Sequence, residues 1–421
     1  MNENKTQSMA KKPVRSKRRI WLLRLMTVTT SLMIALLLGE FTIRLMGEED
    51  ADGNFFFRGE HIGAYHPQVE WVRGKINEYR ESDKTRMIYN PQTGWSPRPS
   101  SSSHGGMYRY NSLGIRSAPR EYSKQPKPGV LRIALFGDSF THGDDVFFEK
   151  TWGNMLEKKL NEQGVRAEVI NFGVSAYGMD QAFLRWKRIG RQFAPHIVLF
   201  GFQAENVNRN VNLLRGFMML NTGIPFSKPR FLLNENGRLK AINVPTLPIE
   251  TVPDVMADMQ NWEYAPYEWF YDPESYPRRF WHVSKLASLI MHRIQGDVRG
   301  ATTNRPPIFS LDGEPAKVTR QLLREFQEDV EQQGGKFLIV HLPKKSDLTR
   351  SIGGKPLHYE KLLQKIEGEQ TVIDPFNRLF DDARQKSLEK LFVEKKRHYS
   401  ARGNRIIAET IAKHLVKKRR N

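Results

Sequence analysis

The 421-residue sequence predicts an α/β domain built on a parallel sheet, with one membrane-spanning helix ahead of it. Two observations carry this reading. From Gly129 onward, short apolar runs alternate with amphipathic stretches, which implies a parallel sheet covered on both faces and joined by right-handed crossovers. Near the N-terminus, "IWLLRLMTVTTSLMIALLLGEFTIRLMG" is long enough to cross an apolar bilayer core of ~30 Å as a helix.

The elements follow in chain order. Residues 1–19 form a basic segment containing Lys5, Lys11, Lys12, Arg15, Lys17, Arg18 and Arg19, which predicts a cytoplasmic N-terminus. Residues 20–46 form the anchor. Arg24 lies near one end, and Glu40 and Arg44 near the other, where each reaches an interface. No small-x-small cleavage site follows the apolar run, which favours an uncleaved anchor over a signal peptide. Residues 47–128 are polar and rich in Gly, Pro, Ser and Tyr, and read as an extended lead-in in which Trp95 and Arg116 serve as packing anchors. Residues 129–421 form the main domain. "VLRIALFG" reads as a strand buried on both faces, "TWGNMLEKKLNEQG" as a helix ending near Gly164, and "AEVINFG" as a strand. "MDQAFLRWKRIGRQF" is the next helix and "HIVLFGF" the third strand. An aromatic-rich insertion then occupies about 211–314, with Trp262, Tyr264, Tyr267, Trp269, Phe270, Tyr271, Tyr276, Phe280 and Trp281, and a helix over "HVSKLASLIMHRI". Alternation resumes with a helix near 318–333, the strand "KFLIVHLP", a helix near 356–367, "QTVIDP", and a last helix over "ARGNRIIAETIAKHLVKK".

Composition narrows the chemistry. With no cysteine, the chain has no disulfide, thiolate metal site or cysteine nucleophile. The 66 Lys+Arg against 46 Asp+Glu give a formal charge of +20, which suits an anionic membrane face or an acidic glycan. No nucleic-acid motif accompanies that charge, so nucleic acid is not an expected partner. Sites in parallel α/β sheets form beyond the carboxyl ends of strands. Ser139, in "GDSF", stands just past the first strand and before a helix. A serine nucleophile needs a base and donors for the oxyanion. "NFGVSAYG" follows the second strand, "GFQAENVNRN" the third, and "RHYSARGNRIIAE" places His398 just before the last helix.

This ordered set resembles the SGNH, or GDSL-type, hydrolase family over about residues 129–416. The phrases "TGWSPRPS" and "YNSLGIRS" are similar to those ahead of the domain in membrane-anchored bacterial members. The resemblance implies a three-layer α/β/α sandwich with a central parallel sheet. It implies Ser139 as nucleophile and His398 as general base. The oxyanion donors would be the N–H groups of Ser139 and Ala176, with Gly173 as the alternative to Ala176, and the side chain of Asn206. Asn208 and Asn210 are further candidates, because Ala-Glu-Asn-Val stands where the family has Gly-Asn-Asp. No metal or organic cofactor is implied.

One position departs from the family pattern. Three residues before His398, where the family has aspartate, stands Lys395, which cannot accept an imidazole N–H. Three outcomes stay open: Glu394 or a distant acid such as Asp374 replaces the aspartate, a backbone carbonyl orients His398, or the site is inactive. Asp138 reads as a cap, His142 as a site-wall or surface residue, His341 as a packing residue at a strand end, and Asp144 and Asp145 as acids without the further ligands a metal needs. The expected function is a membrane-anchored, extracytoplasmic serine esterase acting on O-acetyl or other esters of a cell-envelope glycan or lipid. The alternatives are an O-acyltransferase with the same residues and a non-catalytic glycan-binding protein.

Overall fold

A computed structural model describes residues 17–82, 85–271, 273, 279–295 and 305–420. Lys5, Lys11, Lys12 and Arg15 of the basic segment, Tyr276, and the side chains of 418–420 lie outside the described residues. The chain divides into two compact units. One holds Met1–His66 with Pro273–Thr302, and the other Pro67–Asp272 with Thr303–Asn421.

In the smaller unit, α1 (Lys17–Met46) is a 30-residue helix, long and apolar enough to cross a membrane. A three-stranded antiparallel sheet follows: β1 (Gly47–Glu49), β2 (Phe55–Phe57) and β3 (Glu60–Ile62).

The larger unit opens with α2 (Val69–Glu81) and two short hairpins, β4 (Met87–Asn90) with β5 (Gly94–Pro97) and β6 (Ser102–Ser103) with β7 (Tyr108–Arg109). The lead-in, residues 47–128, therefore contains a three-stranded sheet, a helix and two hairpins that the extended reading omitted. Its anchors are polar as well as apolar. Buried Trp95 donates Nε1–H to the Ser175 carbonyl at 3.1 Å, and buried Arg116 donates to the Val146 carbonyl at 2.8 Å.

The central elements are β8 (Leu131–Gly137), α3 (Ser139–His142), α4 (Trp152–Glu162), β9 (Ala167–Asn171), α5 (Met179–Arg188), β10 (Ile197–Phe202) and α6 (Glu205–Arg209). The expected insertion region holds α7 (Arg215–Met218), the hairpin of β11 (Arg230–Leu233) and β12 (Leu239–Ile242), and α8 (Val252–Ala257). These belong to the larger unit, whereas α9 (Lys285–Gln295) belongs to the smaller. The chain then returns through α10 (Glu314–Gln332), β13 (Lys336–His341), α11 (Lys345–Ile352), α12 (Glu360–Glu369), β14 (Val372–Ile373), α13 (Phe376–Asp382) and α14 (Ala401–Arg420).

The five strands pair in the order β14-β13-β10-β8-β9, all parallel. Strand side chains alternate between faces, and the two cores follow that period. Ile133, Leu135, Leu199, Leu338 and Val340 pack on one side with Leu156 and Leu160 of α4 and Ile407 and Ile411 of α14. Ala134, Phe136, Val198, Phe200 and Ile339 pack on the other with Phe183 and Trp186 of α5, Phe326 of α10 and Ile366 of α12. The result is a three-layer α/β/α sandwich with a central parallel sheet. Helix α4 shows why these segments are helical. Thr151 caps its N-terminus by accepting from the Asn154 N–H, and Trp152, Leu156 and Leu160 recur every four residues on the buried face.

Candidate active site

The turn that carries Ser139 rests on two glycines. Gly137, the last residue of β8, pairs with Gly201 of β10, and both face the Thr141 side chain. A Cβ on Gly201 would stand 2.1 Å from Thr141 Oγ1, and one on Gly137 2.4 Å from it. Gly137 also has φ +149°, open chiefly to glycine. Asp138 then caps α3, accepting from the Phe140 N–H at 2.9 Å. Its other oxygen takes Arg209 Nη1 at 2.8 Å, an ion pair buried on both sides. Ser139 follows at the first position of α3, where a helix's own bonding leaves the N–H free.

Ser139 Oγ lies 2.9 Å from His398 Nε2, and His398 Nδ1 lies 2.6 Å from Asp145 Oδ2. The carboxylate that meets His398 is therefore that of Asp145, not of Glu394 or Asp374. Asp374 accepts from another histidine, with its Oδ1 2.9 Å from His341 Nδ1, and so is engaged elsewhere. Glu394 is exposed in the turn before His398, as is Lys395, whose φ of +55° belongs to that turn. The position that departs from the family pattern is thus a solvent-facing turn residue, and the carboxylate at His398 arrives from the loop that carries Ser139.

Local geometry explains how. Helix α3 ends after one turn at Gly143, in the left-handed region with φ +80°. The N–H groups of Gly143 and Asp144 both return to the Ser139 carbonyl. Asp145 is itself left-handed, φ +66°, a conformation aspartate tolerates better than most residues. Successive carboxylates consequently point to different partners. Asp145 meets His398, while Asp144 turns inward to Ser175 Oγ at 2.8 Å and His142 Nδ1 at 2.5 Å, with Arg86 3.5 Å away. The lead-in fixes this divergence. Tyr108 Oη accepts the Asp145 N–H at 2.9 Å, and the Arg86 and Arg116 guanidinium carbons lie 4.1 and 4.9 Å from the Tyr108 ring centroid.

The electrostatics define the protons. The hydrogen bond from His398 is the chief cause holding the Asp145 carboxyl below its usual range, against partial burial. Asp145 is thus an ionised acceptor, so His398 donates from Nδ1 and leaves Nε2 to accept the Ser139 O–H. The neighbouring pair is arranged differently. Complete burial pushes His142 down to about 3, so its ring is neutral, donating from Nδ1 to Asp144 and accepting from Tyr110 Oη, 2.9 Å away, at Nε2. Burial opposes charge on Asp144, but Arg86 and His142 outweigh it and hold that carboxyl far below its ordinary value.

The loop after β9 reaches the Ser139 turn through the Val174 N–H, which donates to the Gly137 carbonyl at 3.1 Å. Within it, Ala176 is left-handed, φ +65°, and its N–H has no partner among the described residues. The Gly173 N–H is bound to Asn171 Oδ1 at 3.0 Å. Asn206 is buried beside Asp138. Its amide hydrogens go to Asp138 Oδ2 and the Tyr177 carbonyl, both at 3.3 Å, and its Oδ1 takes the Gln203 N–H. Asn210 bonds to Thr319 Oγ1 and the Met179 N–H. Asn208 Oδ1 is buried without a hydrogen-bond partner among the described residues.

A cavity of about 650 Å³ opens where β10 and β13 end, lined by Ala204, Lys344, Lys345, Arg350, Lys355 and His358 among others. An ion chain links it to the Ser139 turn: Asp138 to Arg209, Arg209 to Glu205 at 3.2 Å, and Glu205 to Lys344 at 4.0 Å.

No family model and no curated protein matches this chain. Solved structures do. A lipolytic protein of the G-D-S-L family from Desulfitobacterium hafniense aligns at 13% identity and a TM-score of 0.33, covering 67% of this chain and 98% of that one. The acetyl xylan esterase AlAXEase aligns at 12% and 0.36, covering 68% and 99%. The lipase/acylhydrolase from Enterococcus faecalis aligns at 13% and 0.35, covering 68% and 96%. In the order of its motifs and in its sheet, this chain resembles the SGNH hydrolases.

Proposed function

We propose that this protein is a serine ester hydrolase anchored in a membrane by α1, with Ser139, His398 and Asp145 as its catalytic triad. The observation that carries this reading is the continuous hydrogen-bonded relay from Ser139 Oγ through both nitrogens of His398 to Asp145. Ser139 Oγ attacks the ester carbonyl carbon as His398 Nε2 takes its proton. Asp145 keeps Nδ1 protonated and stabilises the imidazolium that forms. The Ser139 and Ala176 N–H groups bind the developing oxyanion. Asn206 joins them when that oxyanion outcompetes its two 3.3 Å bonds. His398 then protonates the leaving alcohol, and water, activated by the same ring, releases the acid from Ser139.

The substrate proposed is an acyl, chiefly acetyl, ester on a cell-envelope glycan, with lipid esters second. The four cationic side chains around the 650 Å³ cavity favour a glycan that carries negative charge. The basic flank before α1 favours a cytoplasmic N-terminus and an extracytoplasmic domain. The test is acetate release from O-acetylated uronate-containing and neutral glycans by the full chain in detergent, beside Ser139→Ala and His398→Ala. Release abolished in both variants supports the reading. Equal release in either variant contradicts it. Acetyl transfer to an added glycan exceeding release to water would make the protein a transferase.

A further inference from the structure

The smaller unit carries an apolar helix face that its own core does not cover. In α9, Leu286 and Leu289 pack with Ile43, Phe55 and Ile62. Lys285 and His292 project from the helix near Glu49 and Glu60, at 3.9 and 3.8 Å. A different stripe is left over: Ala287, Ile290 and Ile294 fall at i, i+3 and i+7, and Val283 precedes them by one turn. Ile290 is 49% exposed, Ile294 71%, Val283 67% and Phe280 84%. Three large apolar side chains along that stripe, with Phe280 exposed in the turn before it, exceed the scatter of single exposed residues on a soluble surface.

The helix is also locked to α1. Glu40 of α1 caps it across the chain, accepting from the N–H groups of Lys285 and Leu286 at 3.0 and 2.8 Å and from Ser284 Oγ at 2.7 Å. Arg44 bonds to Glu40 at 2.6 Å and to the Val283 carbonyl at 3.1 Å. Gly39 lets Leu286 approach closely, since a Cβ there would lie 3.2 Å from the leucine. Beyond this clamp, the first turns of α9 face the apolar stretch of α1, and its last turn meets the small sheet through His292 and Arg293 at Glu60. A cavity of about 470 Å³ lies between them, lined by Met33, Leu36 and Leu37 on one side and Ala287 and Ile290 on the other.

Depth can be estimated from α1 itself. At 1.5 Å per residue, Leu37 to Met33 lie about 5–10 Å from Glu40 toward the helix N-terminus. That is the depth, about 5–10 Å, to which interfacial helices sink their apolar faces. Val283, Ala287 and Ile290 of the stripe share this cavity with exposed apolar residues of α1, and the polar side of α9 is turned to charged residues of the small sheet.

We propose that α9 is an interfacial membrane helix, with Val283, Ala287, Ile290 and Ile294 seated in the phospholipid acyl chains beside the outer end of α1. This rests on the reading that α1 spans the bilayer. The anchor is then a two-helix device, one helix crossing the membrane and one lying in it, joined by Glu40. Such a device fixes the tilt and rotation of the small unit, which a lone crossing helix leaves free.

The chain has no native cysteine, so single-cysteine spin labels report single sites. The full chain is reconstituted in phosphatidylcholine–phosphatidylglycerol vesicles with labels at Leu37→Cys, Ile290→Cys, Ile294→Cys and His292→Cys. Collision with oxygen is compared with collision with a water-soluble nickel chelate. The expected result is loss of nickel collision at 290 and 294, matching 37, with nickel access kept at 292. Nickel access at 290 and 294 with none at 37 overturns the interfacial helix and leaves the spanning helix intact. Nickel access at 37 as well overturns the spanning reading, and this inference falls with it.

Discussion

Replacing Asp145 by Asn isolates the least foreseeable member of the proposed triad. The change keeps size and shape but removes the charge. The contact is 2.6 Å, on a side chain only partly exposed. Opposite charges centred about 4 Å apart at an effective dielectric of about 20 interact by ~4 kcal/mol. Losing that stabilisation of the imidazolium slows turnover ~10³-fold. The amide adds a second penalty. Its NH₂ donates to Nδ1, which moves the ring proton to Nε2, where it faces the Ser139 O–H and blocks the base. Together these place the loss at ~10³–10⁴ in kcat, the range for a triad aspartate in serine proteases. The assay is steady-state hydrolysis of an aryl acetate, with thermal unfolding to confirm an intact fold. Asp374→Asn and Glu394→Gln serve as controls and should retain wild-type turnover within a few-fold. Asp145→Asn within tenfold of wild type, or a large loss in either control, would refute the reasoning.

Other expectations follow from the same contacts. Tyr108→Phe removes the oxygen that accepts the Asp145 N–H, so kcat should fall ~tenfold while stability drops by only about 1 kcal/mol, read by kinetics and urea unfolding. Glu205 sits at about 2 rather than 4.5, chiefly through Arg209, against burial. A carboxyl with a lowered folded value stabilises the fold above its unfolded value and loses that contribution as pH falls. The contribution is therefore present at neutral pH, on the order of 3 kcal/mol, and disappears between about pH 4.5 and 2. Glu205→Gln should flatten the acid limb of the Tm–pH curve in that window. Asp180→Asn keeps an acceptor oxygen beside the buried Lys228 Nζ, with the carbonyls of Arg209, Asn212 and Pro229, but removes the opposite charge, and should cost about 3–5 kcal/mol in urea unfolding.

The sheet was readable because its strands are buried on both faces and its helices are amphipathic, so each run has a distinct period. "VLRIALFG" and "HIVLFGF" fall on β8 and β10 within a residue. Short elements were not readable. α11 and α13 have eight and seven residues and take their burial from neighbours rather than from a repeating pattern. In the site, Ser139 and His398 stood out because strand-end position and neighbouring residues mark them. Asp145 did not, because its role depends on a left-handed backbone and on Tyr108, 37 residues upstream. Beside Asp144 it read as half of an acidic pair, and only the fold shows the two carboxylates diverging. The one available signal was an acid six residues past the serine, at the end of a helix stopped by Gly143. Ala176 kept a different trace: the left-handed φ explains why a glycine suits that position and why the backbone N–H can still serve.

The central claim is that Ser139 is an activated nucleophile. The most direct measurement is covalent: the full chain is treated with a fluorophosphonate, digested, and mapped by mass spectrometry. The account predicts one adduct, on the peptide carrying Ser139, lost in Ser139→Ala and strongly slowed in His398→Ala and Asp145→Asn. A folded wild-type protein that takes no adduct, or takes it equally in Ser139→Ala, would contradict the account.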